Sequence, residues 1–139
     1  MEALLVPVGA AWHAIALTSV LEVVRAPTIS PVPRAPTWLL GLANLRGEIV
    51  PVLDSAAALG EEPLSDPTHL VVVETVRGRA AVAASAAPKP IELGEPSGAS
   101  ERRGACGQFT LGDPEFPGRQ RPGPVVASLL DVEALVESR

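Results

Sequence analysis

Proline and glycine interrupt this chain so often that a helical bundle is a poor solution for it. Fifteen prolines and twelve glycines are spread over 139 residues, and each proline fixes φ and removes a backbone donor. Between them lie short runs rich in valine, leucine and alanine, such as Leu4–Val8, Leu70–Val73 and Val125–Leu130. Runs of this kind, bounded by turn formers, read as short strands of a mainly β fold. Apolar residues make up 47% of the chain, yet only two Phe, two Trp and no Tyr are present. An aliphatic core with few aromatic anchors is therefore expected. The length suits one domain over residues 1–139, enough to bury roughly 68% of its extended surface.

The most organised stretch runs from Pro31 to Gly60. Pro31, Pro33 and Pro36 disfavour a helix across 31–35. A short helical turn is expected over Thr37–Leu40, then two extended runs, Leu42–Leu45 and Glu48–Leu53. Arg46-Gly47 between them predicts a tight hairpin, with Gly47 supplying the positive φ. Asp54 stands where an N-cap belongs, before the alanine-rich turn Ser55–Leu59, and Gly60 is the expected stop.

Elsewhere, Leu4–Val8 and Trp12–Leu17 predict a hairpin turned at Gly9-Ala10-Ala11, with His13 facing solvent by alternation. Leu17–Arg25 supports either helical spacing or a strand, with Thr18 or Ser19 able to cap one helical turn that runs into the strand. Glu61–Thr68 reads as a surface loop. Leu70–Thr75 and Arg79–Ser85 predict a second hairpin turned at Arg77-Gly78, and Ile91–Leu93 another short strand. From Gly94 to Gly123 glycine and proline become dense, so long loops with at most one strand, Gln108–Leu111, are expected. The chain then reads as a strand over Val125–Leu130 and a helix capped by Asp131. Asp54 and Asp131 thus occupy similar places, which suits a fold of two comparable halves.

Chemistry is sparse. The two histidines, His13 and His69, fall in different hairpins, and the single cysteine, Cys106, has no neighbour at a metal-ligand spacing. One cysteine also rules out an internal disulfide. No glycine-rich turn leads into a Lys-Ser or Lys-Thr pair, as a phosphate loop requires. Glu22 and Glu48 read as surface acids on strands rather than a catalytic pair. Enzyme activity, metal and cofactor are therefore not expected. The net charge of −5 gives no attraction to nucleic acid or anionic lipid. No apolar run approaches the ~20 residues of a membrane span, so no membrane insertion is expected. The start, Met1-Glu2-Ala3, lacks a basic signal-peptide region, and a cytoplasmic location is the expectation. Protein–protein recognition is left as the working class.

The string Gly41-Leu42-Ala43-Asn44-Leu45-Arg46-Gly47-Glu48-Ile49-Val50-Pro51-Val52-Leu53-Asp54 resembles the signature of CheW-like domains, the coupling proteins of bacterial chemosensory arrays. Val20-Leu21-Glu22-Val23 and the Pro33/Pro36 spacing resemble the segment before it, and Pro124–Leu135 resembles the family's ending. The run Ala80–Ala86 departs from the family's leucine-rich middle strand, so the second half reads as divergent. The resemblance implies a mainly β fold of two SH3-like five-stranded barrel subdomains, intertwined and packed together, with short helices. It implies a non-enzymatic adaptor joining the signalling tip of a chemoreceptor to the regulatory domain of a CheA-like histidine kinase, recruited to membrane receptor arrays. The partner-binding residues it implies are Val20, Glu22, Asn44, Arg46, Gly47, Glu48, Ile49 and Val50. Asn44 and Gly47 also have turn-forming readings, Val20, Ile49 and Val50 core readings, and Arg46 a reading in which it braces the loop Pro33–Pro36. A divergent module that scaffolds a complex outside chemotaxis is the alternative.

Overall fold

The structure, a computed structural model, describes residues 1–98, 105–112 and 123–136. Arg102, Arg103, Arg119 and Arg121 of the expected loop region lie outside them. Eleven strands and two short helices are found among the described residues. The first hairpin joins β1 (Glu2–Val8) to β2 (Ala11–Ala16) through Gly9-Ala10. Leu17–Ser19 forms a 3-10 turn, without a side-chain cap, that runs into β3 (Val20–Arg25). The two readings of that segment are thus realised in succession.

A two-residue strand, β4 (Ile29–Ser30), lies beside β5 (Leu39–Leu45). The helical turn expected over Thr37–Leu40 is instead a β-turn closed by Leu39 N–H donating to Pro36 O at 3.0 Å. Strand pairing then begins at Leu39, two residues after Thr37, because the partner strand offers hydrogen bonds that an isolated helical turn lacks. Gly41 is required here. With φ +155°, an added Cβ would lie 2.3 Å from the Ser30 carbonyl oxygen of β4.

The hairpin partner of β5 is β6 (Glu48–Leu53), followed by α1 (Ser55–Ala58). Asp54 caps α1 as expected, its Oδ1 accepting from Ala57 N–H at 3.1 Å. The second hairpin pairs β7 (His69–Thr75) with β8 (Gly78–Ala84). Its turn is Val76-Arg77, one residue earlier than expected, and Gly78 (φ +108°) opens the return strand. The remaining elements are β9 (Lys89–Glu92), β10 (Ala105–Leu111), β11 (Val125–Leu130) and α2 (Val132–Val136).

The strands form two sheets, ordered β10-β11-β2-β1-β9 and β3-β7-β8-β6-β5-β4. The second therefore has six strands, one more than expected. The described ladders close neither sheet into a barrel, since each end strand pairs on one side only. Each sheet contains one parallel pair, β11 with β2 and β6 with β8. Both parallel pairs are made by the strand that ends in a capping aspartate. Leu4, Val6, Val8 and Ile15 of the first sheet join Val50, Val52, Leu53, Val71, Val73 and Val82 of the second in the main core. Each such side chain contributes about 1.5–3 kcal/mol when fully removed from water. A smaller cluster of Ala3, Ala14, Leu93, Phe109 and Leu129 covers the other face of the first sheet. All five residues of β8 from Ala80 to Ala84 are no more than 1% exposed. This alanine strand is central, between β7 and β6, and its small side chains let β1 lie close, with Ser85 N–H donating to Pro7 O at 2.8 Å.

His13 corrects a sequence expectation. It is fully buried rather than solvent-facing, because the face it shares with Ile15 is the one that meets the second sheet. Its Nδ1 lies 2.7 Å from Ser55 Oγ and its Nε2 2.8 Å from Glu61 Oε1. A carboxylate only accepts, so Nε2 carries the proton and Nδ1 meets a hydroxyl that both gives and takes. One imidazole from β2 thus holds both ends of the α1 segment.

Candidate functional site

The turn between β5 and β6 is the centre of the site. Asn44 pairs with Ile49 and Leu45 with Glu48, leaving Arg46-Gly47 as a two-residue loop. Both residues have positive φ, 52° for Arg46 and 88° for Gly47, the pattern of a type I′ turn whose twist matches the strands. The sequence reading assigned positive φ to Gly47 alone. For a long side chain such as that of Arg46 this conformation costs about 1 kcal/mol. Asn44 offsets part of it, its Oδ1 accepting from Gly47 N–H at 2.8 Å.

The Arg46 guanidinium reaches across to β3 and hydrogen-bonds Glu22 Oε2. It therefore pairs with a carboxylate on another strand rather than bracing Pro33–Pro36. The hydrogen bond from Arg46 holds the Glu22 carboxyl below the usual carboxylate range; the charges of Arg46 and Arg79 act in the same sense and partial burial opposes them. Glu22 in turn raises Arg46. The pair is open to water, with side-chain exposures of 69% for Arg46 and 32% for Glu22, so its part in stability is small.

A groove of about 130 Å³ lies beneath the pair, lined by Glu22, Leu45, Arg46, Glu48, Val50, Val72 and Arg79. A second ion pair, Arg79 to Glu48 at 3.1 Å, stands on its rim. Of the residues implied by sequence, the structure gathers Glu22, Arg46, Glu48 and Val50 around this groove. Val50 is 1% exposed, so it forms the floor and its side chain packs into the core. Asn44 and Gly47 build the turn. Val20 is half-buried against the main core, and Ile49 points outward at 59% exposure; neither lines the groove. Arg79, Leu45 and Val72 also line it and were not among the partner-binding residues implied by the sequence. Arg79 reaches the groove only because β8 pairs with β6 across a parallel ladder, for which no local signal exists.

Among the described residues no group of three or more His, Cys, Asp or Glu is placed to hold a metal ion. Cys106 is exposed, and partial burial, then the Asp131 carboxylate, push its thiol above its ordinary value. Little thiolate is present at neutral pH, and Cys106 stands on β10, outside the groove. No described helix is long and apolar enough to cross a membrane.

An ion-paired turn over a small groove, on a two-sheet β scaffold, is an arrangement suited to protein recognition. The model of the CheW-like domain matches residues 2–139, and the chain belongs to that family. It is 40% identical over 63 residues to the probable chemotaxis protein CheW of Rhizobium etli, a match covering 44% of this chain and 40% of the relative. It is 43% identical over 56 residues to protein FrzA of Myxococcus xanthus, covering 39% of this chain and 35% of the relative. The chain therefore matches less than half the length of these curated relatives. Its fold is that of scaffolding protein TtCheW from Thermoanaerobacter tengcongensis, with a TM-score of 0.73, 19% identity, and coverage of 96% of this chain and 86% of that one.

Proposed function

We propose that this protein is a non-enzymatic adaptor that couples the signalling tip of a chemoreceptor to the regulatory domain of a CheA-like histidine kinase. The observation that carries the reading is Arg46. It occupies a strained, exposed turn position that Asn or Gly would fill without cost, and it holds Glu22 at the mouth of a groove. Val20, Glu22, Asn44, Arg46, Gly47, Glu48 and Ile49 then form or support the partner surface, with Val50 beneath it. In the same reading residues 1–139 are one domain of two intertwined SH3-like halves, supported by the matching strand–aspartate–helix endings at Asp54 and Asp131. The adaptor works in the cytoplasm and is gathered at membrane receptor arrays.

The test uses the purified chain titrated with a kinase regulatory domain and a receptor tip from the same genome. Arg46→Glu is expected to weaken binding by about 2 kcal/mol or more, while stability changes by about 0.5 kcal/mol or less. The swap Glu22→Arg/Arg46→Glu separates two roles. Restored binding means that the pair acts through its geometry, and binding still lost with the pair re-formed means that the guanidinium touches the partner. Unaltered affinity in Arg46→Glu removes Arg46 from the site and favours a scaffold outside chemotaxis.

A further inference from the structure

The two sheets have four edges, and they are not equally guarded. β4 is two residues long and lies between Pro27 and Pro31. β9 carries Pro90 within its four residues. β10 is bridged by Gly98, and Ser97 N–H donates to Gln108 O at 2.8 Å. Proline, brevity and cover are three of the means by which an edge is kept from pairing; charged side chains and bulges are others. Among the described residues β3 has none of these three, and its guards are only the charges of Glu22 and Arg25 and one bulge. It is six residues long without proline and, among the described strands, pairs only with β7. Its outward face exposes Leu21 at 47% and Val23 at 41%. Its one irregularity is a bulge at Leu21, after which Glu22–Arg25 runs in regular register with β7.

We infer that β3 pairs antiparallel with β3 of a second copy, about a two-fold axis at Val23, joining two six-stranded sheets into one. The axis stands perpendicular to the sheet, so each face stays continuous, and a residue meets only a residue of its own face. Centring on Val23 sets Val23 against Val23 of the second copy, Glu22 against Val24 and Leu21 against Arg25. Leu21 to Arg25 then each have a partner within the two strands, and no like charges meet. Centring on Glu22 opposes two carboxylates, which is destabilising. Centring on Val24 sets Leu21 against Pro27, which has no N–H. The second copy would lie along Glu22, so self-pairing and the docking of another protein at the Glu22–Arg46 pair exclude each other. The inference stands apart from the coupling reading, because it needs no receptor or kinase.

Single cysteines introduced in a Cys106→Ser chain test it. Directly opposed residues in an antiparallel pair are about 4.5–5.5 Å apart at Cα, inside disulfide range. Val23→Cys is therefore expected to form a disulfide-linked dimer on mild oxidation with diamide. Position 25 is also exposed, but two Arg25→Cys positions would lie about 13 Å apart along the strands. That variant should crosslink at least about tenfold more slowly. Equal rates for the two variants, or no dimer from Val23→Cys, would overturn the proposal. Sedimentation provides a second reading: the unmodified chain should show a concentration-dependent dimer that Val23→Lys abolishes with its far-ultraviolet spectrum unchanged. A monomer at every concentration would also overturn it.

Discussion

Two places in this molecule share one local grammar, a strand, an aspartate and a helix of one turn or so, and they differ sharply in what surrounds them. Asp54 after β6 is fully buried and accepts two backbone donors, Ala57 N–H at 3.1 Å and Leu64 N–H at 2.8 Å. It thereby holds α1 and the loop beyond it as one unit, which His13 clamps to the opposite sheet. Asp131 after β11 is exposed and accepts one donor, Ala134 N–H at 3.2 Å. The same capping chemistry is thus a surface courtesy in one half and an inter-sheet joint in the other. Burial makes the difference, since a donor stripped of its partner in the interior has no water to replace it.

The comparison is sharpest at Asp54→Ala, which removes the cap and orphans the buried Leu64 N–H. Urea denaturation should show a loss of about 3 kcal/mol or more; a loss near that of an exposed cap would mean that the two sites are equivalent. Next comes His13→Leu, which fills the buried site with an apolar side chain but removes the imidazole's bonds to Ser55 and Glu61. A loss of about 2 kcal/mol is expected, and stability within about 0.5 kcal/mol of the parent would show that packing alone joins the sheets. Asp131→Ala should cost only about 0.5–1 kcal/mol on the same measurement, and a larger cost would erase the contrast from the other side.

The smallest effect is expected at the exposed Glu22–Arg46 pair. Because the folded carboxyl titrates below its ordinary value, the pair's contribution is present above the usual glutamate range near about 4.3. It is lost as the pH falls through the lower folded value. A carbon-13 titration of the Glu22 carboxyl should give a midpoint below the ordinary one, and Arg46→Ala should bring it back up. No movement on that substitution would mean that the guanidinium does not set the titration.

Features that depend on a few consecutive residues were legible in the chain itself. The Arg46-Gly47 hairpin, the caps at Asp54 and Asp131, and the strands around them follow from φ preferences and from side chains that bond backbone two or three positions away. Composition and punctuation likewise sufficed for a mainly β chain, and the Gly41–Asp54 string for its family. What these local rules could not reach was which strands lie side by side. The parallel ladder of β6 with β8 brings Arg79 to the groove, and the order β3-β7-β8-β6-β5-β4 places the Arg46 turn where its side chain reaches Glu22. His13 shows the physical reason most plainly. Alternation along β2 separates two faces but does not say which is wet, and here His13, Ala14 and Ile15 are all buried, because core lies on both sides of the strand. Local sequence determines the conformation of a segment; only long-range packing determines what covers it, and the cover decides whether a polar side chain meets water or joins two sheets.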